Sequence, residues 1–93
     1  MLNNNIIDKI VEFGFGKYID NIGYNVMEMP FDVYKAKIDK VGAFLLAVPG
    51  LRVITVNEYG DEIKTFEEAK NYKDDELLVI FYDPKYWEEN GLI

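Results

Sequence analysis

An α+β fold is what this sequence predicts, and three observations lead there. The run Leu77-Leu78-Val79-Ile80-Phe81-Tyr82 is six apolar residues bounded by Asp74-Asp75-Glu76 and Asp83-Pro84. A run so short and β-rich reads as a strand buried on both faces. The β-branched stretch Leu51-Arg52-Val53-Ile54-Thr55-Val56-Asn57 reads as a second, central or near-central strand. Residues 5–22 and 31–48 instead repeat their apolar positions at the helical period of 3.6. The expected order is α-(β)-α-β-β-α-β-α: a mixed sheet of three or four strands with two longer helices over it and two short ones. Ninety-three residues suffice for a single domain, 1–93. A chain of that length buries roughly 60–65% of its unfolded surface, enough for one core without staples.

Taken in order, Ile7, Val11, Phe15, Tyr18 and Ile22 form one helical stripe over 5–22, widened by Ile6, Ile10 and Phe13. Asn5 suits its cap and Gly23 its stop. Gly14 and Gly16 each cost about 1 kcal/mol inside a helix, so Phe13-Gly14-Phe15-Gly16 is the expected break. Read as a phosphate loop, Gly-x-Gly lacks its third glycine and a preceding strand. Tyr24-Asn25-Val26-Met27-Glu28-Met29, stopped by Pro30, reads as a short edge strand. In 31–48 the stripe is Tyr34, Ile38, Val41, Leu45 and Val48, and Pro49-Gly50 ends the helix. Its last third, Ala43 to Val48, is apolar nearly all round. It is either deeply buried or a surface for a homodimer.

Glu58-Tyr59-Gly60-Asp61 carries turn chemistry and leads into a short returning strand, Glu62-Ile63-Lys64, so a hairpin is expected. Thr65-Phe66-Glu67-Glu68 follows the capping-box pattern ahead of a helix over 66–72 that turns Phe66, Ala69 and Tyr72 inward. Asp83 and Pro84 suit the cap and first position of a last helix over 84–90, closed by Gly91.

Composition limits function. The chain has no His, Cys, Ser or Gln. Ser-His and Cys-His nucleophilic catalysis are therefore excluded, as are His-ligated zinc sites and disulfides. No apolar run approaches the roughly 20 residues of a membrane span. The start Met1-Leu2-Asn3-Asn4-Asn5 lacks the charged and apolar regions of a signal peptide, so a cytoplasmic location is expected. The formal net charge is −7 and it is lopsided. Residues 1–50 hold six acids against five lysines, whereas residues 51–93 hold eleven acids against five bases. Such a field disfavours direct binding to nucleic-acid phosphates.

Carboxylates are the plentiful reactive groups, yet no spacing selects a catalytic pair. Asp74-Asp75-Glu76 could hold Mg²⁺ or Ca²⁺ weakly through oxygen ligands, which keeps a carboxylate- or metal-dependent enzyme as an alternative. Consecutive acids ahead of a strand are more commonly a solvated turn that guards against aggregation. The favoured expectation is a non-catalytic protein without cofactor or metal, with function carried by its surface. The aromatics direct attention there: Tyr59 beside Glu58 and Asp61, Tyr72 beside Asp74, and Tyr82, Tyr86 and Trp87 beside Asp83, Glu88 and Glu89. Tyr and Trp among depleted lysines are usual interface anchors, although Tyr86 and Trp87 also suit pinning the last helix to the sheet. Glu58, Tyr59, Asp61, Glu62, Asp74, Asp75, Glu76, Tyr86, Trp87, Glu88 and Glu89 are thus the candidate partner-binding set, and a basic protein surface the expected partner. In kind, though not in sequence, this resembles the small acidic proteins of phages and mobile elements that occupy nucleic-acid-binding sites, anti-CRISPR proteins among them. The resemblance implies an inhibitor whose carboxylates stand in for phosphates. A self-associating structural domain is the other alternative.

Overall fold

The computed structural model describes residues 4–23 and 25–91. Along them the chain runs α1 (Asn4–Glu12), β1 (Asp20–Gly23), β2 (Val26–Pro30), α2 (Phe31–Ala36), α3 (Ile38–Ala47), β3 (Arg52–Asn57), β4 (Glu62–Ile63), α4 (Phe66–Ala69), a 3₁₀ turn (Asp74–Glu76), β5 (Leu77–Tyr82) and α5 (Pro84–Glu89). The fold is α+β, as the sequence predicts. The sheet is wider than expected and of one sense: five strands in the order β1-β2-β5-β3-β4, every neighbouring pair antiparallel. The apolar run 77–82 is its middle strand. Because β2 and β3 both run against β5, they run parallel to each other, joined across it by α2 and α3.

Registers sort the side chains onto two faces. Met27 and Val53 flank Phe81, while Met29 and Thr55 flank Val79, with Ile63 beyond Thr55. This face meets Ile6 and Ile10 of α1, Phe31 of α2, and Val41 and Phe44 of α3 in one core. Phe44 stands edge-on to both Phe15 (5.7 Å) and Phe81 (5.9 Å), and each such aromatic pair is worth about 0.5–1.5 kcal/mol beyond its burial. The opposite face carries Glu28, Ile80 and Ile54 in one row and Val26, Tyr82 and Arg52 in the next. There Trp87 of α5 lies 5.3 Å from the Tyr82 ring. Along β5 burial therefore alternates, Leu77, Val79 and Phe81 buried and Leu78, Ile80 and Tyr82 half-buried. The strand is not buried on both faces: the two longer helical segments lie on the same side, and a six-residue helix partly covers the other.

Several boundaries differ from the sequence expectation, each for a physical reason. The expected helix over 5–22 stops at Glu12, where Gly14 takes φ +77°, a conformation that suits glycine. Ile6 and Ile10 are its buried residues, while Ile7 (42% exposed) and Val11 (68%) of the expected stripe face outward. Ile22, the end of that stripe, instead lies on edge strand β1. The strand expected at the edge, β2, is consequently interior; its proposed first residue, Tyr24, lies outside the described residues. The helix over 31–48 is interrupted at Lys37 (φ −120°, ψ 26°) without a proline or glycine to mark it, and nothing in its side chains explains the break. Phe44 and Val48 lie in the core, but Leu46 is 85% exposed, so the end of α3 is not buried all round. The Thr65 hydroxyl accepts from the Glu68 N–H at 3.1 Å, as a capping box requires. The Glu68 carboxylate, however, accepts from Lys64 N–H rather than from Thr65. Helix α4 ends at Ala69, and Phe66, expected inward, is half-exposed.

Candidate protein-interaction surface

The antiparallel pairing of β3 with β5 brings together two acidic segments that are far apart in sequence. Asn57 at the end of β3 pairs with Leu77 at the start of β5. The turn 58–61 that leaves β3 and the turn 74–76 that enters β5 therefore meet at one end of the sheet. Strand β2 finishes at that end too, with Pro30 opposite Leu78. Asp32, one residue into the helix that follows, shares a shallow depression of about 510 Å³ with Asp74 and Asp75.

Asn57 holds the first turn. It is nearly buried (7% exposed), and its Oδ1 accepts from the N–H groups of Tyr59 (3.0 Å) and Asp61 (2.9 Å). Its amide nitrogen donates to the Tyr72 hydroxyl at 3.5 Å, and Asn57 N–H closes the hairpin on the Asp61 carbonyl at 3.0 Å. Gly60 supplies the positive φ of +84° that the turn needs. A fixed backbone thus presents Tyr59 at the tip, 81% exposed, with exposed Glu58 and Asp61 beside it. Glu62 opposes Val56 on β4, which places it on the outer sheet face.

The second turn is fixed by its own acids. Glu76 accepts from Lys73 N–H at 2.9 Å, and Asp74 accepts from the Lys35 ammonium at 2.8 Å. The Lys35–Asp74 pair is half-exposed on both sides, so it contributes about 0–1 kcal/mol and mainly sets where Asp74 points. Asp75 is exposed and projects into solvent. Among the described residues, seven acids (Asp32, Glu58, Asp61, Glu62, Asp74, Asp75, Glu76) and two lysines (Lys35 and Lys73) lie at this end of the sheet.

The remaining candidates lie elsewhere. Tyr86, Trp87, Glu88 and Glu89 belong to α5, which begins beyond the opposite end of β5. Asp83 caps that helix, accepting from the N–H groups of Lys85 (3.1 Å) and Tyr86 (3.2 Å). Tyr86 and Trp87 are half-buried, and Trp87 packs on Tyr82, which is the pinning role the sequence also allowed. The eleven candidates therefore form two groups, seven at one sheet end and four on α5. Two contributors were missed. Asp32 becomes visible only once β2 is known to pair with β5. Asn57 was open to recognition, since Asn ahead of a Gly-containing turn is the residue that bonds its own backbone two positions on.

Among the described residues no three acidic side chains are grouped so as to hold a metal ion. No helix among them is long and apolar enough to cross a membrane. No protein-family model, curated protein or solved structure matches this chain.

Proposed function

We propose that this protein is a non-catalytic binding module whose acidic sheet end docks on a basic protein surface. The observation that carries the reading is the meeting of the turns 58–61 and 74–76 at one sheet end, with seven carboxylates against two ammonium groups and a rigidly presented Tyr59 at the tip. Such a surface is solvated, so its carboxylates reach a partner's lysines and arginines without deep desolvation. Its field raises the association rate at low salt. Tyr59 supplies contact area at small entropic cost, since its turn is already ordered. The finer reading is that the partner is a nucleic-acid-binding protein and the module an inhibitor, the carboxylates occupying the place of phosphates in a Lys/Arg-lined groove.

The test is affinity capture from the source cells or their host, eluted with a salt gradient. A nucleic-acid-binding protein released by rising salt, and captured more weakly by the variant Asp61→Lys/Asp75→Lys, is the expected result. A captured partner indifferent to salt and to those two reversals, or no captured partner, overturns the reading.

A further inference from the structure

The acidic protein has a second surface of opposite character. Between α2 and α4 lies an open cleft of about 360 Å³, and a smaller depression of about 200 Å³ adjoins it, Phe31, Phe66 and Ala69 lining both. The volume of the larger cleft falls in the range of small-ligand sites. Phe31 and Phe66 line it, and with Tyr34 of the adjoining depression they form a triangle of rings 6.2–6.3 Å apart, centroid to centroid. Phe66 is 53% exposed, so a large aromatic surface faces the opening.

The charged groups that line the cleft are Lys35, Lys70 and a single carboxylate, Asp74. The lining is thus cationic in a chain whose formal net charge is −7. Lys35 is held in place, bonded to Asp74 at 2.8 Å with its ammonium 5.1 Å from the Phe31 ring centroid. One carboxylate occupies one of its three N–H donors and leaves two. Lys70 is paired only with Glu67, and both side chains are more than 70% exposed. A pair so solvated is held weakly and yields to a better-placed anion. Tyr34, whose phenol is pushed above its ordinary pKa by burial, remains a neutral donor in the adjoining depression.

From this lining we infer that the α2–α4 cleft binds a small aromatic anion, its ring against Phe31 and Phe66 and its acid group between Lys35 and Lys70. Neutral aromatics gain only the ring contact, and cations meet repulsion at the rim. The cleft meets the acidic end at the Lys35–Asp74 pair, but the aromatic-anion reading does not rest on a protein docking there.

The test is a titration of the ¹⁵N-labelled protein with 2-naphthoate, and with 2-naphthylmethylammonium as the charge-reversed probe. Saturable amide shifts confined to residues 31–38 and 64–74 are expected with naphthoate, and at least about fivefold weaker binding of the cation. Phe66→Ala is expected to weaken naphthoate about tenfold while the rest of the spectrum stays folded. Because Lys35→Met/Lys70→Met leaves the rings intact, it is expected to abolish the preference for the anion while ring binding persists. No saturable shift, shifts centred on another surface, or equal binding of the two probes overturns the inference.

Discussion

The two ends of β5 were one surface in the sequence and are two in the molecule. At the entering end Asp74-Asp75-Glu76 meets Glu58, Asp61 and Asp32 across the sheet, and Tyr59 stands almost fully in solvent. At the leaving end α5 carries Glu88 and Glu89, but its aromatics turn inward and Trp87 covers Tyr82. A six-residue strand spans about 20 Å, more than two Debye lengths at physiological salt, so the two groups of acids act separately. Equal sequence composition thus yields a free aromatic in one place and a structural one in the other. What decides is whether a neighbouring strand presents an apolar surface for the ring to cover.

Breaking the strand that separates the two ends has the largest expected effect. Phe81 is fully buried between Met27 and Val53 and touches Phe44 edge-on. Phe81→Ala is expected to cost about 3–5 kcal/mol, whereas Ile80→Ala, on the half-covered face, costs about 1–2 kcal/mol by the smaller apolar area it removes from burial. Urea unfolding of both variants checks this, and equal losses would mean that both faces of β5 are buried alike.

Loosening one end alone comes next. Asn57→Ala removes the acceptor of two backbone N–H groups and is expected to cost about 1–3 kcal/mol. Amide exchange at Tyr59 and Asp61 accelerates while α5 is unchanged; uniform acceleration would contradict a local role. The complementary change is smaller. Asp83→Ala removes the α5 cap and costs about 0.5–2 kcal/mol. Trp87 fluorescence shifts to the red as the helix frays, with no change in amide exchange at 57–61; an unmoved Trp87 spectrum would mean that Tyr82, not the cap, holds α5.

How much of this was legible follows from what each residue depends on. Local chemistry was readable: the strand at 77–82, the hairpin at Glu58–Asp61, the Asp83-Pro84 helix start and the break at Phe13-Gly14 each rest on neighbours within a few positions. Pairing was not. Ile22 continues a helical stripe in the sequence but lies on β1, because the tertiary demand for an edge strand beside β2 outweighs periodicity. The continuous apolar run of β5 suggested two buried faces, yet half-covered Ile80 and Ile54 look the same in sequence as buried Val79. Glu88 and Glu89 joined the acidic set by proximity along the chain, while Asp32, far away in the chain, sits beside Asp74 through the β2–β5 register. The aromatic cleft was invisible for the same reason: Phe31 and Phe66 meet only when α2 and α4 are placed side by side.

The central claim is that the placement of charge at the entering end of β5, not the acidity of the whole chain, makes the binding surface. Two variants of equal net charge test it most directly. Glu58→Gln/Asp75→Asn neutralises two acids at that end, and Glu88→Gln/Glu89→Gln neutralises two on α5, beyond the other end of β5. Association with the captured partner, measured across a salt series, should slow about tenfold or more and lose most of its salt dependence in the first variant. The second variant should stay within about twofold of the unaltered protein, as expected for charges more than a Debye length from the interface. Equal slowing in both variants would contradict the claim.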